Sequence, residues 1–333
     1  MIDKIHLLSI ERSEIMGTIS KYIPKLFMMV GLPGSGKSTY AHHIITEKGK
    51  PIIHSSDDLR EELYGDSNNQ DNNIDLFQEL HKRIKEDLRN GKDVIYDATN
   101  ISKKRRRAFL SELKNISCIR ICVLIMTPFD KCVEFNSKRD RVVPVDVIER
   151  MIKNWNPPAL DEGFDNIIVI TNADKDDAKR WDLTTLFEGD CGIDNFDQQN
   201  SHHSLTLGQH CRKAADYILE HDENNAVLQM AALLHDIGKV MTKSELNGKG
   251  EVDGDFHYYQ HHCVSAYESM FYTYYFGFNE EDMLYIANLI YFHMHPYISW
   301  EQSKSAERRH KIQMGEKMFN DIMLLHEADA AAH

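Results

Sequence analysis

Residues 31–39 read GLPGSGKST, and this short stretch restricts the fold of the 333-residue chain tightly. The pattern G-x-x-x-x-G-K-[ST] works only between a strand and a helix. Its glycines let backbone N–H groups turn inward around phosphate, and the helix that follows offers its positive end to the same anion. The flanks comply: the apolar run KLFMMVG precedes the loop and the helix-like STYAHHIITEK follows it. The expected nucleotide-binding set is therefore Gly31, Pro33, Gly34, Ser35, Gly36, Lys37, Ser38 and Thr39. Lys37 is placed to neutralise the β- and γ-phosphates of ATP, and Ser38 to hold Mg2+.

Beyond the loop, apolar runs alternate with helical segments. KPIIHSS, DVIYDAT, RICVLIMT and NIIVIT read as four further strands, and DLFQELHKRIKEDLRNG as a helix closed by Gly91. Such alternation predicts a parallel sheet wrapped by helices on both faces. After residue 170 the character changes. A polar connector is followed by AADYILEHD, AVLQMAALLHDIGK, VSAYESMFYTYYFG, DMLYIANLIYFH and KIQMGEKMFNDIMLLHEADAAA, all with helical periodicity. The expected organisation is an N-terminal extension over 1–23, an α/β domain over 24–172, a linker over 173–200 and an all-α domain over 201–333. Met16 is a second candidate start.

Composition removes several alternatives. With 42% hydrophobic and 27% charged residues the chain has the balance of a globular protein, and no apolar run reaches bilayer-spanning length. MIDKIHLLSIERSEIMG places Asp3, Glu11 and Glu14 among its apolar residues, unlike a secretory signal. Cys118, Cys122, Cys132, Cys191, Cys211 and Cys263 form no C-x-x-C pair and read as reduced thiols of a cytoplasmic protein. A formal net charge of −13 means that a polyanion must be held by a local basic patch. The run Lys103, Lys104, Arg105, Arg106, Arg107 offers one, with a solvated helix face as the equal alternative.

Two clusters should face the phosphate loop from the carboxyl ends of their strands. SSDDLR carries Asp57, Asp58 and Arg60, and YDATN carries Asp97, Thr99 and Asn100. A third, NSKRDRVVPVDVIERM, gathers Lys138, Arg139 and Arg141, and the planar forks of the two arginines suit a developing phosphoryl charge. The series GLPGSGKST, DD-x-x-R, DATN, N-S-K-R and VP-x-DVI-x-RM resembles the kinase domain of the phage-type polynucleotide kinase-phosphatases over about residues 25–155. The resemblance implies transfer of the ATP γ-phosphate to a 5′-hydroxyl end of RNA or DNA. Asp57 would then be the general base, and Lys37 and Arg139 would stabilise the transition state. Arg60, oriented by Asp97, would hold the acceptor's phosphate.

The second half presents His210, the doublet His235-Asp236, His261, His293 and Asp329 in order. Neighbours on a helix point roughly 100° apart, so the doublet needs ligands from other helices to close a site. The contexts HSLTLGQH, AALLHDIGK, HYYQHH, YFHMH and EADAAA resemble the HD superfamily of metal-dependent phosphohydrolases, in the flavour appended to bacterial tRNA nucleotidyltransferases. This implies a primary metal site of His210, His235, Asp236 and Asp329. His261 and His293 would hold a second ion, with His262 as the alternative to His261. Mn2+, Ni2+, Co2+ or Mg2+ would serve hydrolysis at phosphorus, with Lys239 nearby to stabilise charge.

The D-x-D-x-T motif of the phosphatase usually joined to such a kinase is missing, and the HD module stands in its place. Together the halves resemble bifunctional end-healing enzymes. These phosphorylate 5′-hydroxyl ends and clear 2′,3′-cyclic phosphates or 2′/3′-phosphates, so that a partner ligase can join RNA, the favoured nucleic acid, or DNA. The alternative is a small-molecule or nucleotide kinase fused to an HD nucleotide phosphohydrolase or a regulatory HD domain.

Overall fold

The computed structural model describes residues 22–66, 73–173, 178–199 and 204–333. The extension over 1–23 lies almost wholly outside the described residues, as does Met16. Packing divides the chain into two units. One takes Met1–Ile148 and Glu162–Asn172, the other Glu149–Asp161 and Ala173–His333.

The first unit is the expected parallel sheet. Its strands are β1 (Lys25–Val30), β2 (Ile52–Ser55), β3 (Val94–Asp97), β4 (Ile119–Met126) and β5 (Asn166–Thr171), ordered β2-β3-β1-β4-β5. Every pairing is parallel, with Phe27 opposite Ile95 on one side and Ile121 on the other. β1 reads as unbroken apolar residues because both faces are covered: Leu26 to Val30 are all buried. The helices are α1 (Lys37–His43), α2 (Ser56–Tyr64), α3 (Asn73–Arg89), α4 (Lys103–Glu112) and α5 (Phe129–Ser137), and the division between the units falls within α6 (Val145–Ile152). α3 buries Leu76, Leu80, Ile84 and Leu88, one residue per turn, which is the stripe its sequence promised. The carboxyl ends of β1, β2 and β3 deliver the loop of residues 31–36, Asp57 and Asp97 to one edge of the sheet.

The second unit is helical: α7 (Leu183–Glu188), α8 (Leu207–His221), α9 (Ala226–Leu234), α10 (Lys239–Thr242), α11 (His261–Phe276), α12 (Glu280–Phe292), α13 (Lys304–Met314) and α14 (Glu316–Ala331). It also carries an antiparallel hairpin, β6 (Ser244–Leu246) with β7 (Val252–His257), which helical periodicity did not foresee. Its strands are short, acidic and glycine-bearing, with little apolar alternation to reveal them. Trp155 is fully buried in this unit, edge-on to Tyr267 with ring centroids 5.2 Å apart. Trp181 stacks on Phe271 at 4.8 Å.

Candidate active sites

The phosphate loop is held by backbone economy and a few polar braces. Gly34 (φ 78°) lies so close to α5 that a Cβ there would sit 2.1 Å from the Cys132 carbonyl oxygen. Only glycine allows that approach. The Gly31 N–H donates to the Thr99 carbonyl at 3.0 Å, tying the loop to the DATN segment. Thr127 Oγ1 and Asn172 Nδ2 both donate to the Ser35 carbonyl, at 2.8 and 3.0 Å. Pro33 and Ser35 are buried within the loop, whereas Ser38 and Thr39 open to solvent.

Lys37 is buried and donates to the Leu32 carbonyl at 2.7 Å. Burial pulls its pKa below the usual lysine value, and the Asp97 charge only partly restores it. Asp97 accepts from Ser38 Oγ at 2.7 Å. Burial pushes its carboxyl above the usual range, against the opposing pull of Lys37 and the Ser38 hydroxyl. The expected pairing of Asp97 with Arg60 is replaced by this bond. Arg60 instead donates to Asp57 Oδ1 at 3.1 Å and to Asn73 Oδ1 at 2.8 Å.

Ser55 caps α2, accepting from the N–H groups of Asp57 and Asp58, and so fixes Asp57 in the first turn. Three guanidiniums meet its carboxylate: Arg60, Arg139 with Nη2 3.6 Å from Oδ2, and Arg141, whose Nη1 donates to Oδ1. Arg139 and Arg141 border a cleft of about 460 Å³, with Asp57, Asp58 and Glu61 contributed by α2 and Lys138, Arg139, Asp140 and Arg141 by the junction after α5. Arg141 was visible only as a member of a basic cluster; its direct bond to Asp57 is a tertiary fact. The basic run loses its fourth member, because Arg106 is buried in a two-pronged ion pair with Glu162, both bonds 2.7 Å.

In the second unit every expected metal-ligand residue converges. A capping box of Thr206 and Gln209 starts α8 and turns His210 to its buried face. His235 and Asp236 follow the end of α9, His261 opens α11, His293 closes α12, and Asp329 lies in the last turn of α14. His210, His235, Asp236 and Asp329 offer ligand atoms within 4.8 Å of one another, as do Asp236, His261 and His293. All six residues are buried. His262 turns instead toward Tyr291 and His295. Burial, reinforced by the charges of His261, His293 and His295, pushes it down to about 2.

The imidazole orientations follow one rule. His235 Nδ1 faces the Ala232 carbonyl at 2.7 Å, His261 Nδ1 that of Tyr258 at 2.7 Å, and His293 Nδ1 that of Ile290 at 2.6 Å. His210 Nδ1 faces the Ala332 carbonyl at 3.3 Å. A carbonyl only accepts, so each Nδ1 donates and each Nε2 is the ring nitrogen turned inward, able to meet a cation or carry a proton. Those Nε2 atoms then face one another, His210 to His235 at 3.1 Å and His261 to His293 at 3.3 Å. Nitrogens at that separation can share a proton or a metal ion. The His and Asp side chains form a cluster that could hold a metal ion.

Residues 200–329 match the family model of an HD domain, and residues 26–158 that of an AAA domain. The chain joins a P-loop domain to an HD domain. Among curated proteins, L-seryl-tRNA(Sec) kinase of Methanococcus maripaludis is 26% identical over 150 residues, covering 42% of this chain and 56% of that protein. Protein kti12 of Schizosaccharomyces pombe is 26% identical over 148 residues, with 40% and 52% covered. The chain thus spans about half the length of these relatives. A chain of the Pnkp1/Rnl/Hen1 RNA repair complex is 22% identical, with 42% of this chain and 46% of that chain covered and a TM-score of 0.36.

The P-loop domain implies ATP and Mg2+, and the HD domain a divalent ion. The HD residues fit such an ion. Asp236 Oδ1 is buried with no hydrogen-bond donor among the described residues, facing His261 Nε2 at 3.1 Å. Burial alone would lower His210, yet hydrogen bonds to Asp236 and Asp329 push it up to about 9, so these carboxylates favour positive charge at this position. Asp236 is held well below the usual carboxylate range despite its burial, chiefly by Lys239 and His235. Lys239 of the HD domain bonds Asp236 Oδ2 at 2.7 Å and Gln198 Oε1 at 2.8 Å. Gln198, from the polar connector, carried no sequence signal. Among the described residues no helix is long and apolar enough to cross a membrane.

Proposed function

We propose that this chain heals nucleic-acid ends. The P-loop domain phosphorylates 5′-hydroxyl polynucleotide ends with ATP, and the HD domain removes 2′,3′-cyclic phosphate or 2′/3′-phosphate ends, RNA being the favoured substrate and a ligase the consumer of the product. The observation that carries the kinase reading is Asp57, a carboxylate beside the phosphate loop bordered by Arg60, Arg139 and Arg141. As the substrate hydroxyl oxygen bonds to the γ-phosphorus and the bond to ADP breaks, Asp57 takes the hydroxyl proton. Lys37 and Arg139 face the phosphoryl charge that develops, and Ser38 with Asp97 holds Mg2+. Arg60, which donates to Asn73, would hold the acceptor's phosphate.

In the HD domain His210, His235, Asp236 and Asp329 hold one ion, and Asp236, His261 and His293 a second. Bound divalent ions supply Lewis-acid activation of water and of phosphoryl oxygens. The chain itself supplies Lys239, a buried ammonium beside Asp236 that pairs with substrate phosphate.

The test is a short RNA bearing a 5′-hydroxyl and a 2′,3′-cyclic phosphate, incubated with the protein, ATP and Mg2+, with Mn2+, Ni2+ or Co2+ in parallel. Mass analysis of both ends should show 5′-phosphorylation lost only in Asp57→Ala and 3′-end dephosphorylation lost only in Asp236→Ala. Unchanged ends under every metal sink the polynucleotide reading. One observation favours a small-molecule or nucleotide substrate instead: the chain is acidic overall, and Arg106 is withdrawn from its one dense basic run. Phosphorylation of nucleosides or small alcohols in the absence of RNA activity would establish that reading.

A further inference from the structure

Asp329 supplies its ligand oxygen from the last turn of α14, where helices fray. Its two oxygens are divided. Oδ1 points at the metal centre, 3.1 Å from His210 Nε2 and 3.5 Å from His235 Nε2. Oδ2 points away and accepts a hydrogen bond from the Tyr297 hydroxyl at 3.1 Å. Tyr297 lies in a single π-helical turn, Pro296–Trp300, just after the ligand His293. π-helical turns are rare and concentrate at functional sites. The ring is fixed in turn by His326, edge-on with centroids 4.3 Å apart, one turn before Asp329 on the same helix.

Resting on the metal-centre reading above, we infer that Tyr297 is a positioning residue that fixes Asp329 as a one-oxygen ligand. A free carboxylate can rotate or chelate through both oxygens; with Oδ2 held by the phenol, only Oδ1 is presented. The same short segment, His293 to Trp300, therefore carries a ligand of one ion and the orienting group for a ligand of the other. His326 serves by shape alone: its Nδ1 is buried with no hydrogen-bond partner among the described residues.

The test uses the full chain stripped of metal and titrated calorimetrically with Mn2+. Tyr297→Phe keeps the ring and its packing but removes the hydroxyl. It should weaken Mn2+ binding by roughly 10–100-fold, the usual cost of losing an orienting partner, while the metal-stripped variant melts with the wild type. Phosphohydrolysis should recover as Mn2+ is raised. His326→Phe, which keeps an edge-on ring, should bind Mn2+ like the wild type. Unchanged affinity in Tyr297→Phe overturns the inference and leaves the metal centre standing. Full affinity with activity lost at saturating Mn2+ overturns it too, because the phenol would then touch substrate. A loss in His326→Phe equal to that in Tyr297→Phe shows that the imidazole, not the hydroxyl, does the orienting. A wild-type chain that takes up no Mn2+, Ni2+ or Co2+ defeats the metal-centre reading itself.

Discussion

Asp97 shows how a reactive position costs stability. Its folded-state pKa lies above the ordinary aspartate value, so the fold penalises the ionised form. That penalty is absent while the carboxyl is protonated in acid, and it is complete once pH has risen past the folded pKa. Asp97→Asn should therefore melt higher than the wild type at neutral pH, with the gain shrinking as pH falls through the carboxylate range. The same variant should lose phosphoryl transfer, because an amide carries no charge to set beside Ser38. Thermal melts across pH, paired with a kinase assay, check both; equal melting at neutral pH would mean Lys37 already compensates the charge. At this scale the sequence was informative wherever chemistry requires a residue type at fixed spacing. Lys37, Ser38 and the His235-Asp236 doublet announce themselves in that way. Arg141, Asn172, Gln198 and Tyr297 do not, since each matters through one partner that only tertiary packing supplies.

At the scale of elements, Gly238 stands out. It follows the HD doublet by two residues, and a Cβ added to it would lie 2.4 Å from the His261 carbonyl oxygen and 2.6 Å from the Ser265 nitrogen. Both are backbone atoms of α11, which cannot step aside without moving His261. The Gly238 N–H also donates to Ser265 Oγ at 2.9 Å. Gly238→Ala should push α11 outward and weaken Mn2+ binding at least tenfold, read by titration of the stripped chain. Undiminished affinity would show that α11 has slack. The elements themselves were mostly readable. Buried parallel strands are apolar throughout, and α3 and α8 show their stripes. The hairpin of β6 and β7 was hidden because it packs few of its side chains, with Leu246 and Val252 exposed. Strands that bury little leave little pattern.

At the scale of the whole molecule, sequence order and packing order differ. Glu149–Asp161 belongs by packing to the second unit, although the chain then returns to complete the first with Glu162–Asn172. Nothing local to NWNPPAL reveals this; the choice of partner for Trp155 is made by Tyr267, far along the chain. Trp155→Ala should lower the stability of the helical unit by about 3–5 kcal/mol, the usual cost of emptying a buried tryptophan site. It should spare the P-loop unit's own transition. Calorimetry with and without Mn2+ identifies which transition moves, since the ion raises only the unit that binds it. A shift confined to the P-loop unit would refute that assignment of Trp155. The detour also sets an order of events during synthesis. Trp155 leaves the ribosome roughly a hundred residues before Tyr267, an interval of about 5–20 s at about 5–20 residues per second. Throughout that time a large apolar side chain has no partner, while β5, made just after it, is already able to close the edge of the sheet. Nascent chains of this protein should therefore need shielding at one particular stretch, between completion of the first unit and the emergence of α11.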